Sequence, residues 1–170
     1  AALDIFRNPE APNKSKEVAL EMLAEVYSVL DETHKIITNA DIIPDLTTAF
    51  RDPETSARAQ YSVLETLANL SESQVNQQRI GDAGFIPDLV TTIKDSEIQV
   101  WLKKDPLVPL PRVVLLILSH LTEFPANQQI MIDAGVIPVL NDIIDHPEIP
   151  DDAKKEARKI LAHLNIQEDS

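Results

Sequence analysis

Residues 76–93 read N-Q-Q-R-I-G-D-A-G-F-I-P-D-L-V-T-T-I, and residues 127–144 read N-Q-Q-I-M-I-D-A-G-V-I-P-V-L-N-D-I-I. Residues 33–50, T-H-K-I-I-T-N-A-D-I-I-P-D-L-T-T-A-F, are a more diverged version. Three copies of one pattern constrain the fold more than any composition can. Each copy is one structural unit, and such units stack because none can bury its own apolar face. A fourth, partial unit opens the chain. Setting Pro9 on Pro147 also pairs Asp4 with Asp142, Ile5 with Ile143, Glu10 with Glu148 and Pro12 with Pro150. The match runs on through Ala19 with Ala157 and Leu23-Ala24 with Leu161-Ala162. The sequence therefore divides into a partial unit 1–31, units 32–72, 73–124 and 125–165, and a polar tail 166–170, within one domain spanning 1–170. It starts inside a unit, with the second helix under way, as an excised piece or a degenerate first cap would.

Each unit reads as three helices. In residues 16–30 the apolar positions 19, 20, 22, 23, 26, 27 and 30 fall three and four apart and predict one buried face. A short helix is expected at 33–40, followed by 43–51 and 55–70, the last with Ala57, Ala59, Val63, Leu64, Leu67 and Leu70 turned inward. The next units predict helices at 75–83, 86–94 and 112–122, then at 126–134, 137–145 and 152–164. Gly84 and Gly135 terminate the short helices in a left-handed conformation that glycine adopts freely, with Asp41 in that place in the diverged copy. Pro44, Pro87 and Pro138 sit in the first turn of the following helix, where a missing N–H costs nothing. Only 3 Gly and 4% aromatics, beside 44% apolar residues, suit helices better than sheets, and 12 Pro mark boundaries. The tail 166–170 is expected to fray.

The spacing from Pro44 to Pro87 is 43 residues and from Pro87 to Pro138 is 51. The extra length lies in residues 98–111, I-Q-V-W-L-K-K-D-P-L-V-P-L-P, which hold the single Trp of the chain. Trp101, beside Lys103 and Lys104, is a candidate apolar contact for a partner, since Trp is enriched at binding hot spots. The opposing expectation is that Trp101 and Leu107 fold back over the edge of the stack.

A net charge of −13 repels phosphate backbones and anionic lipid, so no nucleic-acid partner is expected. The longest apolar run, 113–118, falls far short of the roughly 20 residues a membrane span needs, so no membrane insertion is expected. The opening A-A-L-D-I-F lacks the pattern of a secretory leader, and no cysteine is present. Both fit a reducing compartment, cytoplasmic or nuclear. Phosphate loops, G-x-S-x-G and H-E-x-x-H are missing, and the four His have no paired spacing. No enzyme activity, cofactor or metal is therefore expected.

The order short helix, Gly, apolar-Ile-Pro, second helix, acidic break and long third helix resembles the armadillo repeat. The resemblance rests on Asp82-Ala83-Gly84-Phe85-Ile86-Pro87 with Leu67-Ala68-Asn69-Leu70, and on Asp133-Ala134-Gly135-Val136-Ile137-Pro138 with Leu161-Ala162-His163-Leu164. It covers residues 3–164. It implies an all-α, right-handed armadillo-repeat superhelix of about three full repeats and a partial one. It also implies a concave strip of third helices where armadillo proteins hold a peptide or partner helix.

Peptide-binding members, such as the importin-alpha and beta-catenin families, offer on each third helix a Trp and, four residues later, an Asn that can pair with a ligand backbone. Here the Trp places hold Glu21, Glu65, Leu116 and Lys159, and the Asn places hold Glu25, Asn69, His120 and His163. Only Asn69 fits, which argues against a ladder of backbone contacts. A charge pattern remains, with Glu21, Glu25 and Glu65 in the first half and Arg112, His120, Lys159 and His163 in the second. A protein or peptide partner with a basic segment would favour the acidic half. The leading expectation is a non-catalytic interaction module, an adaptor, scaffold or regulatory subunit. The alternatives are a chaperone-regulating module, resembling the armadillo nucleotide-exchange factors, and a self-associating structural piece that stacks through the incomplete first unit.

Overall fold

The computed structural model describes residues 2–30, 42–98, 101 and 110–168. Ten helices and no strand occur among them. They are α1 (Ala2–Arg7), α2 (Asn13–Val29), α3 (Ile42–Arg51), α4 (Ala57–Leu70), α5 (Gln74–Asp82), α6 (Ile86–Asp95), α7 (Leu110–Leu121), α8 (Pro125–Asp133), α9 (Val136–Asp145) and α10 (Asp151–Glu168). The long third helices α2, α4, α7 and α10 pack in series, each against the next. Each second helix, α1, α3, α6 and α9, lies on the third helix of its own layer, and the first helices α5 and α8 pack together. The result is a layered all-α stack. The expected short helix 33–40, Asp41 and most of 98–109 lie outside the described residues.

Local chemistry sets the boundaries. Gly84 and Gly135 take φ of +72° and +82°, the left-handed termination that glycine permits without a Cβ clash. α4 begins two residues later than the periodicity suggests. Ser56 is its N-cap, and its side chain accepts from the Ala59 amide at 3.1 Å, which satisfies one orphan donor of the first turn. Ala57 consequently lies exposed instead of facing in. α10 runs on to Glu168, so the first residues of the polar tail are helical.

The N-Q-Q motif has a structural role. When a third helix ends, its last carbonyls lose their intrahelical donors. The Gln77 side-chain amide donates to the Ser71 carbonyl at 2.9 Å, and Gln128 donates to the Thr122 carbonyl at 2.7 Å. The same residue thus closes the same gap in two successive layers. Asn127 is buried and donates to the Gln77 carbonyl at 2.9 Å, tying α8 to α5.

The core is continuous from layer to layer. Leu64, Leu67, Leu70, Phe85, Ile86, Leu89, Ile117, Leu121, Leu140, Ile160 and Leu164 have essentially no exposure. Phe85 meets Phe50 edge to face at 5.2 Å, and the Arg51 guanidinium lies 5.9 Å from the Phe85 ring centre. Ion pairs stitch the second helices: Arg7 to Asp45 at 2.9 Å and Arg51 to Asp88 at 2.8 Å. A second expectation about facing fails. Met22 and Val26 are 51% and 48% exposed, although the periodicity of α2 put them in its buried face. Ala19, Leu20, Leu23 and Tyr27 are buried as expected, and Ala24 is buried with them. The helical period identifies an apolar face, but it cannot say whether a neighbour covers all of it.

Candidate protein-docking strip

The series α2, α4, α7, α10 fixes where the strip residues stand. Glu21 on α2 is engaged by Arg58 on α4 in an ion pair, with Arg58 Nη2 donating to Glu21 Oε2 at 3.2 Å. A second link runs beside it, from the Ser56 hydroxyl to Glu17 at 2.6 Å. Glu21 is therefore part of the seam between layers. Glu25 and Glu65 behave differently. Partial burial raises the Glu65 carboxyl above its ordinary range, and the Glu25 charge on the neighbouring helix raises it further. Tyr61, one turn before Glu65, is raised by its own burial and then by Glu65. Asn69 is half-buried one turn after Glu65. The acidic expectation thus narrows to Glu25 and Glu65, with Asn69 and Tyr61 on the same helix as Glu65.

The basic half is also largely engaged. Arg112 on α7 pairs with Asp152 at the start of α10. His120 Nδ1 lies 2.8 Å from Ser71 Oγ at the end of α4. That hydroxyl donates its single hydrogen to the Ala68 carbonyl at 2.8 Å, so it accepts from His120, whose Nδ1 must carry a proton. His120 is an interlayer strut. Leu116 is 42% exposed, Lys159 is exposed and His163 is half-buried.

Trp101 does not join the strip. Its side chain is 2% exposed and belongs to the core. It lines a 180 Å³ cleft with Ile93, Lys94, Val139, Asp142 and His146, on the α6–α9 side of the stack. The indole is drawn in because its large apolar area is worth more buried than exposed, so it offers no free contact surface. Two residues of the strip, Arg58 and Tyr61, carried no sequence signal of their own. Arg58 stands 37 residues from Glu21, close to one repeat, and the repeat spacing is the signal that could have paired them.

Among the described residues there is no group of His, Asp or Glu that could hold a metal ion. No helix among them is long and apolar enough to cross a membrane.

No protein-family model matches the chain, and no curated protein matches it either. Solved structures do. An engineered protein superposes with a TM-score of 0.75 over 96% of this chain at 20% identity. A designed armadillo repeat protein in complex with the peptide (KR)4 gives 0.73 over 95% at 17% identity. The armadillo-repeats-only protein from Plasmodium falciparum gives 0.70 over 88% at 16% identity. This chain spans 36%, 62% and 61% of their respective lengths. At such identities the likeness establishes the fold.

Proposed function

From the premise that this chain is an armadillo-repeat solenoid, we propose that it is a non-catalytic module that docks a protein or peptide along its third helices. A cation of the ligand sits over Glu25 and Glu65. The observation that carries this reading is the Glu25–Glu65 pair itself. Two carboxylates interact across adjacent helices, one of them half-buried and raised in pKa by burial and by the other. A ligand Lys or Arg placed there relieves a repulsion that the free protein must bear, so its attraction is larger than that of an isolated surface acid. Glu21 and Arg112 contribute less because Arg58 and Asp152 already engage them. The designed armadillo protein that shares this fold is in complex with a peptide of alternating Lys and Arg, which supports a basic segment as the ligand class.

The test is fluorescence anisotropy with a labelled alternating Lys-Arg peptide and an acidic peptide of equal length. The basic peptide should bind, more weakly as salt rises. Glu25→Lys/Glu65→Lys should lose that binding, while Arg112→Ala should keep it. No binding by the wild type, or equal binding by the double variant, refutes the reading.

A further inference from the structure

Two clefts of the structure occupy one place in the repeat. The first, of 580 Å³, lies between the first two layers, where α1 and α3 end and α2 and α4 begin. The second is the 180 Å³ cleft that Trp101 lines between α6 and α9. With the units in register on Pro44 and Pro138, residues Asp45, Ala49, Asp52 and Thr55 of the first cleft fall on Val139, Ile143, His146 and Ile149 of the second. Arg7 likewise falls on Lys94. The difference in size has two causes. Ala49 and Thr55 are smaller than the isoleucines that match them. The insertion also sets Trp101 against the second cleft, at 2% exposure. The opening unit's lack of a first helix is not a cause. The first helices of the layers that flank the second cleft are α5 and α8, and neither contributes a residue to its lining.

We propose that the first cleft receives a tryptophan side chain of a partner protein, in the place that the chain's own Trp101 takes against the second. Its volume falls within the roughly 300–1,000 Å³ of small-ligand sites, ample for an indole. The floor is apolar, with Leu20 and Ala59 buried and Phe6 and Ala49 half-buried. Phe6 offers a ring for offset or edge-to-face contact. The rim is polar. Arg7 with Asp45, at 2.9 Å, and Ser56 with Glu17, at 2.6 Å, hold one another and form its walls. Lys14 is exposed, and no ion pair among the described residues engages it. Its ammonium can lie over an aromatic face, and indole is the best of these. Asp52 Oδ1 accepts the Glu54 amide at 2.9 Å, which leaves Oδ2 to accept from an indole N–H. An aliphatic side chain would cover the floor but use neither Lys14 nor Asp52, so the cleft favours indole. A second copy of the chain does not supply the ring, because Trp101 is its single Trp and is already buried.

Nitrogen–proton NMR correlation spectra test the docking, with the chain titrated by the blocked tripeptides acetyl-Gly-Trp-Gly-amide and acetyl-Gly-Leu-Gly-amide. The Trp peptide should shift the amides of Phe6, Ala49 and Thr55 saturably, and bind about fivefold more tightly than the Leu peptide. Ala49→Ile installs the side chain that the second cleft holds at that position, where Ile143 is 4% exposed. It should abolish the binding and keep the melting temperature. Lys14→Ala removes an exposed side chain at the start of α2, so it leaves the fold intact and should weaken the Trp peptide about threefold. Glu25→Lys/Glu65→Lys should bind the Trp peptide as the wild type does, which separates this cleft from the strip of third helices. Equal affinity for the two peptides, a Trp peptide that leaves those three amides unmoved, or unchanged binding by a folded Ala49→Ile or by Lys14→Ala overturns the proposal. So does loss of the binding in Glu25→Lys/Glu65→Lys.

Discussion

Gly81→Ala should destabilise the protein, although alanine is the better helix former. Gly81 is the penultimate residue of α5, where α8 comes closest. A Cβ built there would stand 2.0 Å from Asn127 Oδ1 and 3.0 Å from its Cγ. The Asn127 side chain cannot move aside freely. It is buried, and its Nδ2 donates to the Gln77 carbonyl at 2.9 Å. Rotating it breaks that bond and strands a buried amide at about 1–3 kcal/mol. Keeping it forces α5 and α8 apart, at a similar overpacking cost of about 1–3 kcal/mol. The gain in helix propensity is at most about 1 kcal/mol, and smaller near a helix end. The net loss is about 1–2 kcal/mol, or a fall of about 2–8 °C in melting temperature for a chain of this size. Circular dichroism melts of wild type, Gly81→Ala, Asn127→Ala and the double variant form a cycle that isolates the contact. Asn127→Ala removes the blocking atoms, so in that background Gly81→Ala should be neutral or stabilising. Additive losses, or a single Gly81→Ala as stable as wild type, would refute the close approach.

Two further outcomes follow from the geometry. Gly135→Ala, at φ +82°, should cost about 1–2 kcal/mol from forcing a Cβ into the left-handed region, with Gly135→Asn milder; equal melting temperatures for all three would contradict that backbone. Glu65 gives a pH dependence of definite sign. Its folded-state pKa is raised above the ordinary 4.5, by burial first and by Glu25 second, so the folded protein holds that proton more tightly than the unfolded chain. The contribution is favourable at pH below 4.5 and is lost as pH rises through the raised value. Glu65→Gln, which keeps the neutral shape, should therefore melt higher than wild type at neutral pH and equal it below pH 4.5; a variant less stable at neutral pH would reverse the assignment.

The layered fold was legible because its signal is repetition. Gly84 and Gly135, the prolines after them and the N-Q-Q motif recur at one phase, and the same backbone problem is solved by the same residue each time. The strip was only partly legible. Helical spacing could place Glu21, Glu65, Arg112 and His120 on third helices, but it could not say what stands opposite each one. Arg58 stands opposite Glu21, Asp152 opposite Arg112 and Ser71 opposite His120, at separations of 37, 40 and 49 residues. Such partners are remote in a window of one helix and adjacent when the chain is folded at its repeat. Trp101 was left open between a partner contact and a cover over the stack edge for another reason. The insertion breaks the repeat, so no equivalent position in another layer reported whether that side chain is covered.

The engaged and unengaged charges bear on how such a strip could discriminate. Glu21–Arg58 and Arg112–Asp152 are partly exposed pairs between adjacent third helices, and each is worth little to stability alone, about 0–1 kcal/mol. In the proposed docking their larger effect would be on recognition. By neutralising one another they remove Glu21 and Arg112 as independent attractors, and His120 is removed in the same way by Ser71. The field left on the strip is then dominated by Glu25 and Glu65 in the first half and by Lys159 in the second. A ligand with one basic cluster gains at one end only, and a ligand with a basic and an acidic end gains in a single direction along the strip. On the proposed docking, specificity would come from which charges the layers have already cancelled, because like-charge contacts reject a reversed ligand more strongly than matched pairs attract the right one.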